Sequence, residues 1–500
     1  MKDRLTAGNL LTGFCILVGT VFPLFMTHYY FNIQKSKSLF FIFLTLAASV
    51  ALILLLMLRR ELFELHVRLT RPQALFFGAF LVFTLLSAIV SPYRPTSFTG
   101  SGSRYIGFWF LGAGILCSLI LLLVPVRVKL LTLPLMGTAL IVAALGIFNL
   151  LEMNLFGLVS AVPEALRGQY LSTLGYSSFF SGYLCLMASF GTAAYIRTEE
   201  RALLPILFIV ETAMIASNND SGIIGFFAAI LLLPFLFRNV EGYGEKLSLA
   251  LVPVPFAILA ARLLYLFGGL PLQPEGFTAF LFRPALCPVL LGVLIIAYAL
   301  CRIFSAAVEK ETFRLDPLRL RKIIALVFAV LFAVFVLLAI LSAAGILPDS
   351  PFISGELAKS RGYIWNRSLQ LFADAPFLRK LVGTGPDTLK LFYRDSLGSE
   401  MTTVTGQVFD SAHNIFLQYL LSVGLFGLIS FLGVLASVLI PVIRKCRRRF
   451  LPLVAALIAY LVQAFFVPEQ PMVTPFMFLL LGLVGREALT ASAPAKNEKG

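Results

Sequence analysis

Asp410-Ser411-Ala412-His413-Asn414 runs directly into Ile415-Phe416-Leu417-Gln418-Tyr419-Leu420-Leu421-Ser422-Val423 and then Gly424-Leu425-Phe426-Gly427. A polar segment ending in histidine thus becomes, without a break, an apolar one that continues to Val442, long enough to enter a bilayer. On one continuous helix, His413, Leu417, Leu420, Gly424 and Gly427 share a face. Asp410 or Ser411 is the expected N-cap. His413 then falls in the first turn, where the positive helix end disfavours the imidazolium. The resulting neutral imidazole can accept a proton. An interfacial histidine above glycines that let two helices approach would leave the same pattern. On these residues both readings stand.

Upstream, residues 348–412 concentrate more polar side chains than any other stretch, including Ser360-Arg361-Gly362-Tyr363-Ile364-Trp365 and Gly383-Thr384-Gly385-Pro386-Asp387. Read as a helix over 355–374, the segment has an apolar stripe of Leu357, Ile364, Trp365, Leu369, Leu371 and Phe372. Arg361 and Ser368 lie near the middle of that stripe, while Lys359, Asn366, Arg367, Gln370 and Asp374 face away. An arginine on a burying face is costly without an anionic partner. Its stem can lie along the stripe with the charge among headgroups. Alternatively its planar fork, charged at any relevant pH, clamps a phosphate. Arg367, on the polar face, is expected to tolerate replacement.

Outside this segment the chain is dominated by membrane. Its 500 residues are 59% hydrophobic and 13% charged, with a mean hydropathy of +0.93. These values exclude a soluble globular protein. The expected fold class is all-α: a polytopic integral membrane protein of about fourteen transmembrane helices with one large extracytoplasmic loop. The apolar stretches fall near 8–26, 38–58, 74–90, 105–124, 130–151, 174–196, 202–217, 222–237, 247–268, 281–301, 322–346, 413–442, 451–467 and 472–489. Four regions follow: 1–346 with helices 1–11, the loop 347–412, 413–490 with helices 12–14, and a small polar tail over 491–500. The N-terminal Met-Lys-Asp-Arg before an apolar run reads as an uncleaved first helix.

The net charge of +15 does not indicate nucleic acid, because the basic residues sit in short runs between apolar segments, as topology signals do. The clusters Arg59, Arg60, Arg68 and Arg71; Arg127 and Lys129; Arg197 and Arg201; and Arg444 to Arg449 fall on one side of the expected spans. That side is cytoplasmic by the positive-inside rule, and both termini join it. Arg94, Arg104, Arg167, Asp220, the loop with Arg361, and His413 then lie outside. Six cysteines with no Cys-x-x-Cys or Cys/His cluster give neither a zinc site nor a disulfide framework. No metal or other cofactor is expected. The Ser217-Asn218-Asn219-Asp220-Ser221 turn reads as a polar hairpin tip, and His28 and His66 have no patterned neighbours.

Arg104, in Gly100-Ser101-Gly102-Ser103-Arg104-Tyr105, and Arg167, in Leu166-Arg167-Gly168-Gln169-Tyr170, precede membrane helices on the side where topology disfavours arginine. With Arg361 they can neutralise a diphosphate while His413 serves as a base. The combination of His413-Asn414, nine residues, Gly424-Leu425-Phe426-Gly427, the upstream Arg361 and Trp365, and Gly383-Thr384-Gly385-Pro386-Asp387 resembles the O-antigen ligase and polymerase superfamily. After Arg167 this chain reads Gly175-Tyr176-Ser177-Ser178 where that family often has an Asn-Pro-Asn-like turn.

The resemblance implies a fold similar to GT-C-like, lipid-diphosphate-dependent glycosyltransferases. It implies metal-independent transfer of a glycan from undecaprenyl diphosphate to a glycan or glycolipid acceptor, outside the bacterial cytoplasmic membrane. His413 would be the catalytic base. Arg361, Arg167, Arg104 and Asn414 would bind substrate, and Trp365, Gly383, Gly385, Gly424 and Gly427 would be structural. Ligation to an acceptor and polymerisation of lipid-linked repeat units both fit. A transporter or flippase of a lipid-linked or anionic substrate would suit the many helices, but it should show paired broken helices and charges near mid-membrane. Only Glu211 and Arg262 stand out in the spans.

Overall fold

The computed structural model describes residues 6–59, 69–102, 104–237, 242–268, 273–309, 317–344, 346–347, 355–445 and 450–490. Arg60, Arg68, Arg447 to Arg449 and the tail 491–500 lie outside the described residues. The chain opens with α1 (Ala7–Leu24), α2 (Ile33–Leu58) and α3 (Arg71–Val90). Thr6 caps α1 by accepting from the Asn9 amide, and Thr70 and Gln73 form a reciprocal capping box at α3. The short α4 (Arg94–Thr99) leads to α5 (Phe108–Leu123) and α6 (Thr132–Leu150). A two-stranded hairpin, β1 (Tyr170–Leu171) with β2 (Gly175–Tyr176), feeds α7 (Ser177–Thr198), α8 (Leu203–Ala216) and α9 (Asp220–Leu236). Then come α10 (Tyr243–Ala250), α11 (Pro253–Phe267), α12 (Gly276–Leu281), α13 (Leu286–Glu309) and α14 (Pro317–Ala343). The polar loop holds α15 (Gly355–Asp374), α16 (Phe377–Val382) and α17 (Leu389–Thr405). The chain finishes with α18 (Ile415–Ser422), α19 (Gly424–Lys445), α20 (Leu451–Gln463) and α21 (Thr474–Thr490).

The protein is mostly helical and polytopic. Among the described residues, nine helices are long and apolar enough to cross a membrane; α5, α8, α9 and α20 are shorter apolar helices. Each expected apolar stretch coincides with a helix, although 247–268 is broken ahead of Pro253 into α10 and α11.

At the centre is α7, whose residues from Phe180 to Ile196 are all buried. Its sequence is apolar or small on every side, so no face needs water. It packs against α6, α8, α9 and α20. Close approach comes from glycine: a Cβ at Gly222 would lie 2.7 Å from the Ser181 carbonyl oxygen, and one at Gly225 2.8 Å from that of Ala459. By contrast the described spans of α13 and α14 bury almost none of their residues within the protein, as helices facing lipid do.

The apolar run after His413 departs from the expected continuous helix in two ways. Asn414, not Asp410 or Ser411, is the N-cap of α18, its Oδ1 accepting from the amides of Phe416 (2.9 Å) and Leu417 (3.1 Å). His413 therefore precedes the helix, with φ +48°. The run also breaks at Gly424, φ +81°, so the five-residue stripe does not persist. Here the Gly383-Thr384-Gly385 turn docks onto the end of α18. The Thr384 and Gly385 amides donate to the carbonyls of Leu421 (2.9 Å) and Ser422 (2.8 Å). Without the turn the Leu421 carbonyl would be an orphan of a terminated helix, whereas that of Ser422 also accepts from Ser87 Oγ (2.6 Å). A Cβ at Gly424 would sit 2.3 Å from the Leu381 carbonyl oxygen, and one at Gly383 2.4 Å from the Ser422 carbonyl. Gly385 approaches Ser91 and Ser97, while Gly427 accommodates the Val423 side chain one turn back. The glycines thus serve a kink and a docked loop rather than a helix–helix seam.

Candidate active site

A cavity of about 810 Å³ collects Arg104, Arg361, Asp410 and His413 among its lining residues. Eight separate segments of the sequence build it.

Arg104 lies in the connection between α4 and α5. Asp387, itself at φ +55° in the glycine turn, pins that connection by accepting from the amides of Arg104 (2.9 Å) and Ile106 (3.0 Å). The guanidinium then grips Asp410 in a fork, Nε to Oδ2 at 3.0 Å and Nη2 to Oδ1 at 2.7 Å, and Nη2 also reaches Ser411 Oγ at 3.1 Å. Burial alone would weaken the charge on Arg104, but the Asp410 carboxylate more than offsets it and its pKa is raised. The same pair, against the opposing effect of burial, holds Asp410 well below the usual carboxylate range. Arg104 Nη1 is buried and makes no hydrogen bond. It is a charged donor without an acceptor.

Arg361 presents a second such donor from α15: its Nη1 is likewise buried and without a hydrogen bond. Burial lowers its pKa, with the charge of Asp220 acting in the opposite direction. Contacts along the rest of the helix hold α15 in place. Ile364 and Trp365 are buried, with the Trp365 ring edge-on to Phe465 at 6.0 Å. Ser368 Oγ and Tyr393 OH share a hydrogen bond of 2.7 Å. Leu369, assigned to the apolar stripe, is instead exposed, and Leu357's side chain lies outside the described residues. Arg367 also differs from expectation: it is ion-paired with Glu400, which accepts from Tyr363 OH as well, and so fastens α15 to α17.

His413 is half-buried, its ring edge-on to Phe409 at 5.5 Å. Its left-handed backbone is fixed on both sides: the Ala412 amide donates to Gln418 Oε1 (3.0 Å) and the Ile415 amide to the Ala464 carbonyl (2.9 Å). Burial, then the Arg104 charge and, more weakly, Arg361, lower the imidazole pKa to about 4, with Asp410 opposing. Burial and the arginines, rather than a helix end, push the imidazole toward the neutral form anticipated from the sequence.

The other residues singled out from sequence take different places. Asn414 is buried as the helix cap, its side-chain oxygen occupied by backbone amides. Arg167 is exposed on the short 3₁₀ turn Glu164–Gln169, outside the cavity lining, although Gln169 belongs to it. The Ser217–Ser221 turn, read as a mere tip, brings Asn218 and Asn219 into the lining. Glu469 was missed altogether. It is buried in the α20–α21 connection, and burial raises its carboxyl to about 7 against a hydrogen bond from its own backbone and the lesser effect of Tyr419. Its only sequence signal was a lone acid in Val467-Pro468-Glu469-Gln470-Pro471, between two apolar helices. Among the described residues no group of three or more His, Cys, Asp and Glu converges as a metal site would.

No curated protein matches the chain. Residues 285–432 match the family model described as O-antigen ligase. That span takes in Arg361, the Gly383-Thr384-Gly385 turn, Asp410, His413 and the Gly424 break, but not Arg104. Over that span, which holds His413 and Arg361 but less than half of the chain, the protein is similar to the O-antigen ligase family.

Proposed function

We propose that the protein transfers a glycan from an undecaprenyl-diphosphate carrier to an acceptor hydroxyl at the outer face of the bacterial cytoplasmic membrane, in a single inverting step without a metal. The observation that carries this reading is the pair of buried, unpartnered guanidinium donors, Arg104 Nη1 and Arg361 Nη1, in the cavity that holds a neutral His413. A diphosphate supplies the anionic acceptors these donors lack. The acceptor hydroxyl gives its proton to His413, its oxygen forms the new bond to the anomeric carbon, and the bond to the diphosphate oxygen breaks. The charge released on the leaving diphosphate falls to Arg104 and Arg361. Asp410 orients Arg104 and offsets part of the positive charge beside the base. Arg167, exposed and outside the lining, is assigned at most an outer contact to the donor. Fourteen spans, with both termini in the cytoplasm, complete the arrangement.

The deciding assay is transfer by the purified protein in vesicles containing undecaprenyl-diphosphate glycan. A single transfer to a separate acceptor is expected, with the opposite anomeric configuration in the product. His413→Ala should lower the rate by about 10²- to 10⁴-fold with donor affinity nearly intact. A ladder of longer lipid-linked chains would replace ligation by polymerisation, and movement of the donor across the bilayer with no new glycosidic bond would replace both by transport.

A further inference from the structure

The arginine–histidine end accounts for only part of the cavity. Most of the remaining lining comes from residues 30–34, the hairpin region 169–179, the turn 218–219 and residues 273–275, none of them within the family-matched span. This wall is rich in carboxamides, among them Asn32, Gln34, Gln169, Asn219 and Gln273. Each carboxamide offers both donors and an acceptor. Beside them runs a connected aromatic strip: Tyr30 and Tyr170 have ring centroids 5.2 Å apart, and Tyr170 and Tyr176 6.0 Å.

The wall is preformed. Tyr30 OH donates to the Ser172 carbonyl at 2.6 Å, and the Ser172 amide donates to Asn149 Oδ1 at 2.8 Å. Across the cavity lining, Asn218 Nδ2 donates to the Gln273 carbonyl at 2.9 Å and Asn218 Oδ1 accepts from the Glu275 amide at 3.1 Å. Asn32, Ser172 and Asn218 hold φ of +58°, +56° and +52°. Asn32 and Asn218 line the cavity and Ser172 lies in the hairpin behind Tyr30; non-glycine residues in so costly a conformation require a surrounding structure that fixes them, as binding sites do.

We propose that this wall is a subsite for neutral, hydroxyl-rich sugar. Carboxamides match hydroxyls, which also donate and accept, and tyrosine faces pack against the apolar C–H faces of a sugar ring. The wall contains no cation, and its one charged side chain, Glu275, is an exposed carboxylate. A uronic acid on this wall would meet that carboxylate, with only Arg104 and Arg361, which the diphosphate would occupy, left in the cavity lining to offset it; a neutral or N-acetylated sugar meets no such repulsion. The identification of the ligand as sugar rests on the glycan-transfer reading, and the sugar can come from the donor or from the acceptor.

The test uses the full-length protein in lipid nanodiscs, with Arg104 and Arg361 kept occupied by saturating inorganic diphosphate, and calorimetric binding of a free neutral oligosaccharide carrying neither lipid nor phosphate. The variants are Tyr176→Ala and Gln273→Ala, both at exposed positions. We expect the neutral oligosaccharide to bind, its uronic-acid counterpart to bind at least about tenfold more weakly, and the double variant to lose about tenfold in affinity. In the transfer assay a rise in KM for one substrate alone assigns the wall to that substrate, donor or acceptor. Equal binding of neutral and acidic oligosaccharides, or unchanged affinity in the double variant, overturns the subsite even if transfer is intact. Oligosaccharide binding that depends on Tyr176 and Gln273, in a protein that transfers nothing, would keep the subsite and sink the reaction.

Discussion

Replacing Arg104 by glutamine should change the proton affinity of a histidine that it never hydrogen-bonds. His413 is held at about 4, against an ordinary value of 6.5, by burial first and the Arg104 charge second. Glutamine keeps much of the volume of arginine and removes the charge, so burial and the weaker effect of Arg361 persist while Asp410 loses its ion pair. One neighbouring charge shifts a pKa by about one to two units, so His413 should rise to between about 5 and 6. The chain has three histidines. Histidine-labelled protein titrated by NMR therefore gives a tractable spectrum, with the His413 signal identified by its loss in His413→Gln. The sign for stability follows from the same shift. A folded pKa below the unfolded one means that His413 contributes fully above pH 6.5 and that this contribution is lost as pH falls through about 4. In Arg104→Gln that acid-side loss should be smaller. The acid limb of transfer, set by the wild-type value near 4, should move up with the titration. An imidazole pKa that stays put or falls in Arg104→Gln would refute the electrostatic account of the base.

Three further outcomes follow from the geometry. Asn414→Ala should lower stability by about 1 kcal/mol through the lost cap, read as a fall in melting temperature, with Asn414→Ser recovering most of it. Gly424→Ala should prevent the turn at 383–385 from docking, because of the positive φ and the Leu381 carbonyl 2.3 Å from the added Cβ; limited proteolysis between 375 and 412 should then accelerate, whereas no such change is expected from Ala at Gly137, which has open space around it. Arg361→Lys should already lose donor binding, because a point charge does not reproduce the two-pronged contact; Lys390→Ala, at an exposed position on α17, should bind donor normally.

The helices were legible because an apolar run of bilayer length has few other fates, and Gly355–Asp374 was legible from its stripe. Arg361 stood out because charge on a burying face demands a partner. Asp410 as the partner of Arg104 was not legible: the two are 306 positions apart, and no local spacing encodes that meeting. The break at Gly424 was hidden for a related reason. Glycine is tolerated within a membrane helix, so only the docking of 383–385 reveals that this one ends a helix. The pairing of Arg367 with Glu400 was not legible because a polar face reads as solvent unless another helix, here α17, covers it.

The docked turn also bears on how the protein is made. The amides of Thr384 and Gly385 find their acceptors on α18, and the Ile415 amide finds its own on Ala464, at the end of α20. Synthesis proceeds from the N-terminus, so the polar loop leaves the ribosome before the carbonyls that hold it exist. Arg361, His413 and Arg104 can therefore be brought to their final spacing only after the last helical hairpin has been inserted. A nascent or truncated chain that stops before about residue 464 keeps its arginines and its histidine but lacks the Ala464 carbonyl that holds Ile415 and the Val467 and Pro468 that complete the cavity lining.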